Sequence, residues 1–187
     1  MPSLLVTIVT AVAAFAGTMV DNFVAFAAQL AVTAPARHRR AIVGQATGIA
    51  ALVLIALVVG DVLSGVPRSA TALFALAPWW LAAHAWRHRV DPPHRAPARG
   101  GVATFAVTIA LGGDNLGVWI PLLRLDGTVR DLVAVAVFAL CEALFLAVVS
   151  AIARHPRVIT LGARWASLAL PIVYVALGVL IAVEALA

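Results

Sequence analysis

The chain contains no lysine; all thirteen of its basic residues are arginine. A Gly-x-x-x-x-Gly-Lys-Ser/Thr phosphate-binding loop is therefore excluded. Its single cysteine, Cys141, rules out an internal disulfide and any multi-cysteine metal site within one chain. Charge is also scarce: 11% of the 187 residues are charged, against 64% that are apolar. With a mean hydropathy of +1.06, so few charges cannot clothe a soluble domain, and the composition is that of an integral membrane protein. The opening Met-Pro-Ser-Leu-Leu lacks the positive region of a cleaved signal peptide, so the first apolar stretch is expected to remain as a membrane helix. The missing lysine, beside abundant alanine and valine, fits a GC-rich genome rather than a chemical requirement.

What the chain does have is apolar length. Flanking signals predict an all-α polytopic fold of six transmembrane helices in one domain, residues 1–187. The segments are about 4–32, 41–63, 70–86, 101–123, 131–153 and 164–186. Arg37, Arg39 and Arg40, then Arg87, Arg89, Arg95 and Arg99, then Arg154, Arg157 and Arg164 fall in alternate loops, ten in all. The other loops hold only three, Arg68, Arg124 and Arg130. The positive-inside rule puts the rich loops in the cytoplasm and both termini outside. The net charge of +5 is thus a topology signal, and no nucleic-acid partner is expected.

Two Asp-Asn pairs, Asp21-Asn22 and Asp114-Asn115, lie deep in apolar sequence. A carboxylate at the centre of a membrane helix costs about 2.5–3.5 kcal/mol on insertion scales, so each requires a reason. The pairs are 93 residues apart (114 − 21), and the same offset carries Pro78 onto Pro171 (171 − 78). Two repeats follow, about 1–90 and about 100–187, each with three spans. With an odd number of spans the second repeat enters the membrane inverted, the arrangement that places a substrate site at the midplane between repeats.

Around the second pair, Gly112, Gly113, Gly117 and Pro121 weaken the helix and are read as a break or hinge whose freed carbonyls can join Asp114 in holding a cation. Gly113 and Gly117 also spell a small-xxx-small packing face. Gly17-Thr18-Met19-Val20 precedes the first pair, in a stretch longer than a simple span requires. Asn22 and Asn115 can add neutral oxygen ligands or tether helices. Glu142 is a third acid at membrane depth, with no intramembrane arginine to neutralise it. Cation binding, protonation or both must do so. Cys141 is a lesser candidate ligand, because adjacent helical positions diverge by about 100°. Gly44 and Gly48 form a GxxxG pattern suited to packing or to a homodimer face, and Gln45 and Thr47 could line a path. Asp61 and Glu184 fall near segment ends, and Trp79, Trp80, Trp86 and His84 suit an interfacial belt. His38, His88, His94 and His155 lack zinc-site spacing.

The run Ile109-Ala-Leu-Gly-Gly-Asp-Asn-Leu-Gly-Val-Trp-Ile-Pro-Leu122 resembles the signature of the CadD-type cadmium-resistance transporters of the LysE superfamily. Thr18-Met-Val-Asp21-Asn22 resembles that family's earlier motif, and Leu170-Pro171-Ile172 with Leu177-Gly178 its closing helix. The resemblance implies a bacterial plasma-membrane exporter of divalent cadmium, with zinc as a second substrate, whose site is formed by Asp21, Asn22, Asp114 and Asn115, with Thr18 a lesser candidate. Glu142 and Cys141 are added by their own chemistry. No cofactor is implied beyond the transported metal, and the partners are the bilayer, the cation and a possible second copy of the chain. Alternating access with proton exchange is the expected mechanism, since no nucleotide loop is present. Carboxylate and amide ligands keep a manganese exporter as an alternative, because they suit harder ions than thiolate does. A LysE-like exporter of amino acids or other small solutes, a channel and a non-transport membrane subunit are the remaining readings.

Overall fold

The chain's computed structural model describes residues 4–65, 73, 76–87, 100–125, 128–153 and, near the C-terminus, 171–172, 174–176, 178–179 and 182–183. Glu184 and the arginines of the loops 88–99 and 154–170 lie outside the described residues. No strand occurs among the described residues.

Helices α1 (Leu4–Thr18) and α2 (Val20–Val32) meet at Met19 with a bend of 54°. Only Thr33 and Ala34 separate them from α3 (Pro35–Val62). Proline at the first helical position has a pre-set φ and no N–H to waste, so the arginine-rich run 37–40 is helical and α3 begins six residues before the expected 41. A 3-10 turn at Leu63–Gly65 follows. Helix α4 is described over Leu76–Arg87, 12 residues. Helices α5 (Gly101–Leu111) and α6 (Gly113–Leu125) meet at Gly112 with a bend of 65°, and α7 (Thr128–Ile152) is unbroken. Among the described residues two helices are long and apolar enough to cross a membrane, or four if each bent pair is one span.

The two breaks correspond. Met19 and Gly112 are 93 residues apart (112 − 19), α2 and α6 begin 93 apart (113 − 20), and so do α3 and α7 (128 − 35). Both break residues sit in the sparsely populated bridge region, Met19 at φ −91°, ψ 5° and Gly112 at φ −79°, ψ 10°. The sequence expectation of a weakened segment four is met at Gly112. Gly113 opens α6, while Gly117 and Pro121 lie within it and the helix continues through them. Pro121 has no N–H for the carbonyl four residues before it, which is that of Gly117, where the missing Cβ leaves more room for the ring.

Packing joins each bent pair to the long helix of the other half. Helix α3 runs along α5, and α1 runs along α7. On the α3–α5 seam a Cβ at Gly44 would overlap the carbonyl oxygen of Gly101, one at Gly48 would lie 2.7 Å from the side chain of Thr108, and one at Gly112 would overlap Leu52. The GxxxG face is therefore consumed inside the chain against α5, which corrects its reading as a homodimer face. Gly113 has open space where a Cβ would be, so close packing is not its role. On the α1–α7 side the contact is aromatic: Phe15 lies 5.8 Å from Phe138, and Trp119 of α6 stacks on Phe15 at 5.9 Å and lies 4.7 Å from Phe138. Leu5, Val9, Val58, Leu132, Leu140 and Leu144 are exposed, the apolar exterior that lipid requires.

Candidate functional site

The bend at Gly112 places Asp114 in the first turn of α6, where the unpaired N–H groups of a helix start favour negative charge. Its carboxylate accepts two hydrogen bonds. The backbone N–H of Asn115 donates to Oδ1 at 2.9 Å, and the hydroxyl of Tyr174 donates to Oδ2 at 2.5 Å. Tyr174, the only tyrosine, lies three residues after Pro171 and ties the C-terminal helical residues to the second break.

Asn115 connects the two breaks. Its side chain is completely buried, and its Nδ2 faces the sulfur of Met19 at 3.9 Å. The Oδ1 of the same amide has no hydrogen-bond partner among the described residues. Asn22, the corresponding residue of the first pair, is also buried, at 2% exposure. The side chain of Asp21 lies outside the described part of the structure, although its backbone is helical in α2. The hydroxyl of Thr18 donates to the carbonyl of Ala14 at 2.9 Å, closing the end of α1 just before the break. Such back-bonding to the preceding turn favours a bend.

Glu142 occupies different surroundings. It is 6% exposed, and neither carboxylate oxygen has a partner among the described residues. It lines a cavity of about 480 Å³ between α3 and α7, in which every other lining residue is apolar. Cys141, a free and half-buried thiol, packs instead beside the core around Phe15, Trp119 and Phe138. The two neighbours therefore face different environments. Among the described residues, no three His, Cys, Asp or Glu side chains stand together. His84 is exposed and stacks on Trp80 at 5.3 Å.

Two features were missed in the sequence. One is Met19, the only methionine beyond residue 1, at the first break itself. The other is a buried amide–hydroxyl array on the α5 side. Gln29 Nε2 donates to Thr104 Oγ1 at 2.5 Å, and Thr108 Oγ1 donates to Gln45 Oε1 at 2.6 Å. Thr104 and Thr108 are one helical turn apart on α5, a spacing that a search for acidic residues alone does not register.

Residues 101–187, from the start of α5 to the end of the chain, match the model of a family described as cadmium resistance transporters. No curated protein and no solved structure matches the chain.

Proposed function

We propose, from the match of residues 101–187 to the cadmium resistance transporter model, that the chain is a secondary exporter of divalent heavy-metal cations, cadmium foremost and zinc with it. The family is one of transporters and not of enzymes, and the apolar helices make this a multi-pass membrane protein. The membrane in question is the bacterial plasma membrane, and the direction is outward.

The observation that carries this reading is the pairing of breaks and acids. Each Asp-Asn pair begins two residues after a helix break, and Asn115 of one reaches Met19 of the other. Inverted repeats of three helices, both termini outside, account for the common 93-residue spacing and for the exchange of long helices between halves. The cation is held by carboxylates of Asp21 and Asp114 and amide oxygens of Asn22 and Asn115. The unpartnered Oδ1 of Asn115 supports a ligand role. Met19 adds a soft thioether, which favours Cd²⁺ over Mn²⁺. Tyr174 holds the Asp114 carboxylate in place and releases an oxygen when metal replaces the hydrogen bond. Glu142, in a cavity with no second polar ligand, serves the proton rather than the metal. Protons from outside then displace the metal as the two halves rock about the site.

Efflux from metal-loaded vesicles tests this. Asp21→Asn and Asp114→Asn should each lower cadmium efflux by roughly 100-fold, at least the loss seen when a metal site's supporting groups are removed. Efflux at the unmodified rate in both would eliminate the site.

A further inference from the structure

A second cavity, of about 660 Å³, lies where the start of α3 passes the start of α5. Its floor is Gly44 and Gly101, whose missing side chains let the two backbones touch. Val43, Val102 and Phe105 form apolar walls, and Arg39 and Arg40 stand at one end. No acidic side chain lines it. We propose that this groove is a binding site for an anionic phospholipid, its phosphate held by Arg39 and Arg40 and the upper part of one acyl chain lying over the glycine floor.

The chemistry of the two ends requires an amphiphile. Guanidinium groups pair with phosphate oxygens through a fork of donors, while the walls are apolar apart from Thr47, whose hydroxyl is turned onto the carbonyls of Val43 and Gly44. The volume falls in the range of small-molecule sites and suits a headgroup with part of a chain. Val102 is 86% exposed, so the groove is open along that wall. The arginine-rich end is also the end that the positive-inside rule assigns to the cytoplasmic leaflet, where anionic lipids attract basic residues.

The repeat provides an internal control. At the 93-residue offset Arg39 and Arg40 become Leu132 and Val133, while Gly44 and Gly101 become Val137 and Ile8. The corresponding positions therefore have neither the charge nor the glycine floor. The fold requires no groove here, so its presence at one corner is a property of these residues. A second copy of the chain is a poor occupant, because it would bring its own arginines to the same lip.

The test is native mass spectrometry of the full-length protein, titrated with phosphatidylglycerol, phosphatidylcholine and inorganic phosphate. Phosphatidylglycerol should be retained, phosphatidylcholine held far more weakly, and inorganic phosphate should not displace the lipid. The double variant Arg39→Gln/Arg40→Gln should weaken phosphatidylglycerol binding by about thirtyfold, from two arginines near a charged headgroup. Val43→Trp, which keeps both arginines and fills the groove, should abolish the preference and guards against a topology change in the arginine variant. Equal retention of the two lipids, full displacement by inorganic phosphate, unaltered binding in Val43→Trp, or a lipid-independent dimer would each overturn the proposal. None of these readouts depends on metal transport.

Discussion

The α3–α5 seam and the α1–α7 seam occupy corresponding places in the two halves, yet they are built from different chemistry. Gly44 and Gly48 of the first stand where Val137 and Cys141 stand in the second (137 − 44 and 141 − 48 are both 93). Thr104 and Thr108 correspond to Ala11 and Phe15, and Gln45 to Phe138. One seam closes by backbone proximity and an interhelical hydrogen bond, the other by the ring pair Phe15–Phe138, with Trp119 of α6 packed on both rings. Lipid is as apolar as leucine, so helices in a bilayer associate through close packing and polar contacts rather than through hydrophobic exclusion. The difference therefore bears on opening. Water entering the glutamine–threonine seam can replace the hydrogen bond it breaks, whereas water between Phe15 and Phe138 meets rings with no polar atom to bond. In the proposed transport cycle, the polar seam is the side suited to wetting.

Four substitutions would break or sharpen this contrast. The largest effect is expected at Trp119, wholly buried and packed on both Phe15 and Phe138. Trp119→Ala should destabilise by about 3–5 kcal/mol, read as a fall in melting temperature or the loss of monodisperse protein in detergent. Next is Gly44→Ala, whose new methyl meets backbone rather than a yielding side chain. It should cost about 1–3 kcal/mol by overpacking, whereas changes at Val137, its counterpart, meet no such glycine floor. If Gly44→Ala melted like the unmodified protein, the seam would be looser than described. Thr108→Val keeps the shape but removes the donor to Gln45 Oε1, whose Nε2 already has no partner among the described residues. A loss of about 1–2 kcal/mol is expected by the same melting measurement. The smallest effect concerns the break residues themselves, since Met19 has a side chain and its counterpart Gly112 has none. Met19→Leu should lower cadmium efflux relative to manganese by about fivefold, on the order of 1 kcal/mol. An unchanged ratio would remove the thioether from the site.

Much of this was legible because membranes tax charge. Asp21, Asp114 and Glu142 stand out in an apolar chain for the reason that water would have hidden them in a soluble one. The first apolar stretch was expected over 4–32, and helices α1 and α2 together cover 4–32. Its length beyond a simple span required a tilt, overhang or break, and a break is found. The position of that break at Met19 was not legible, because the break residue is neither glycine nor proline and the nearby Gly17 stays within α1. The bend follows instead from bonding at the end of α1, where the Thr18 hydroxyl turns back onto Ala14. The role of the GxxxG face was likewise ambiguous, since a small-residue stripe fits another copy as well as another helix of the same chain.

By itself the sequence determined the membrane environment, the number and spacing of polar intrusions, and the 93-residue correspondence, because each follows from composition and chain position. Only the tertiary structure decided which groups meet. Tyr174 reaches Asp114 across 60 residues of chain, and Met19 reaches Asn115 across 96. Glu142 and Cys141, adjacent in the chain, face a cavity and an aromatic core respectively. Such pairings depend on how bent helices pack against distant partners, and one-dimensional spacing does not encode those directions.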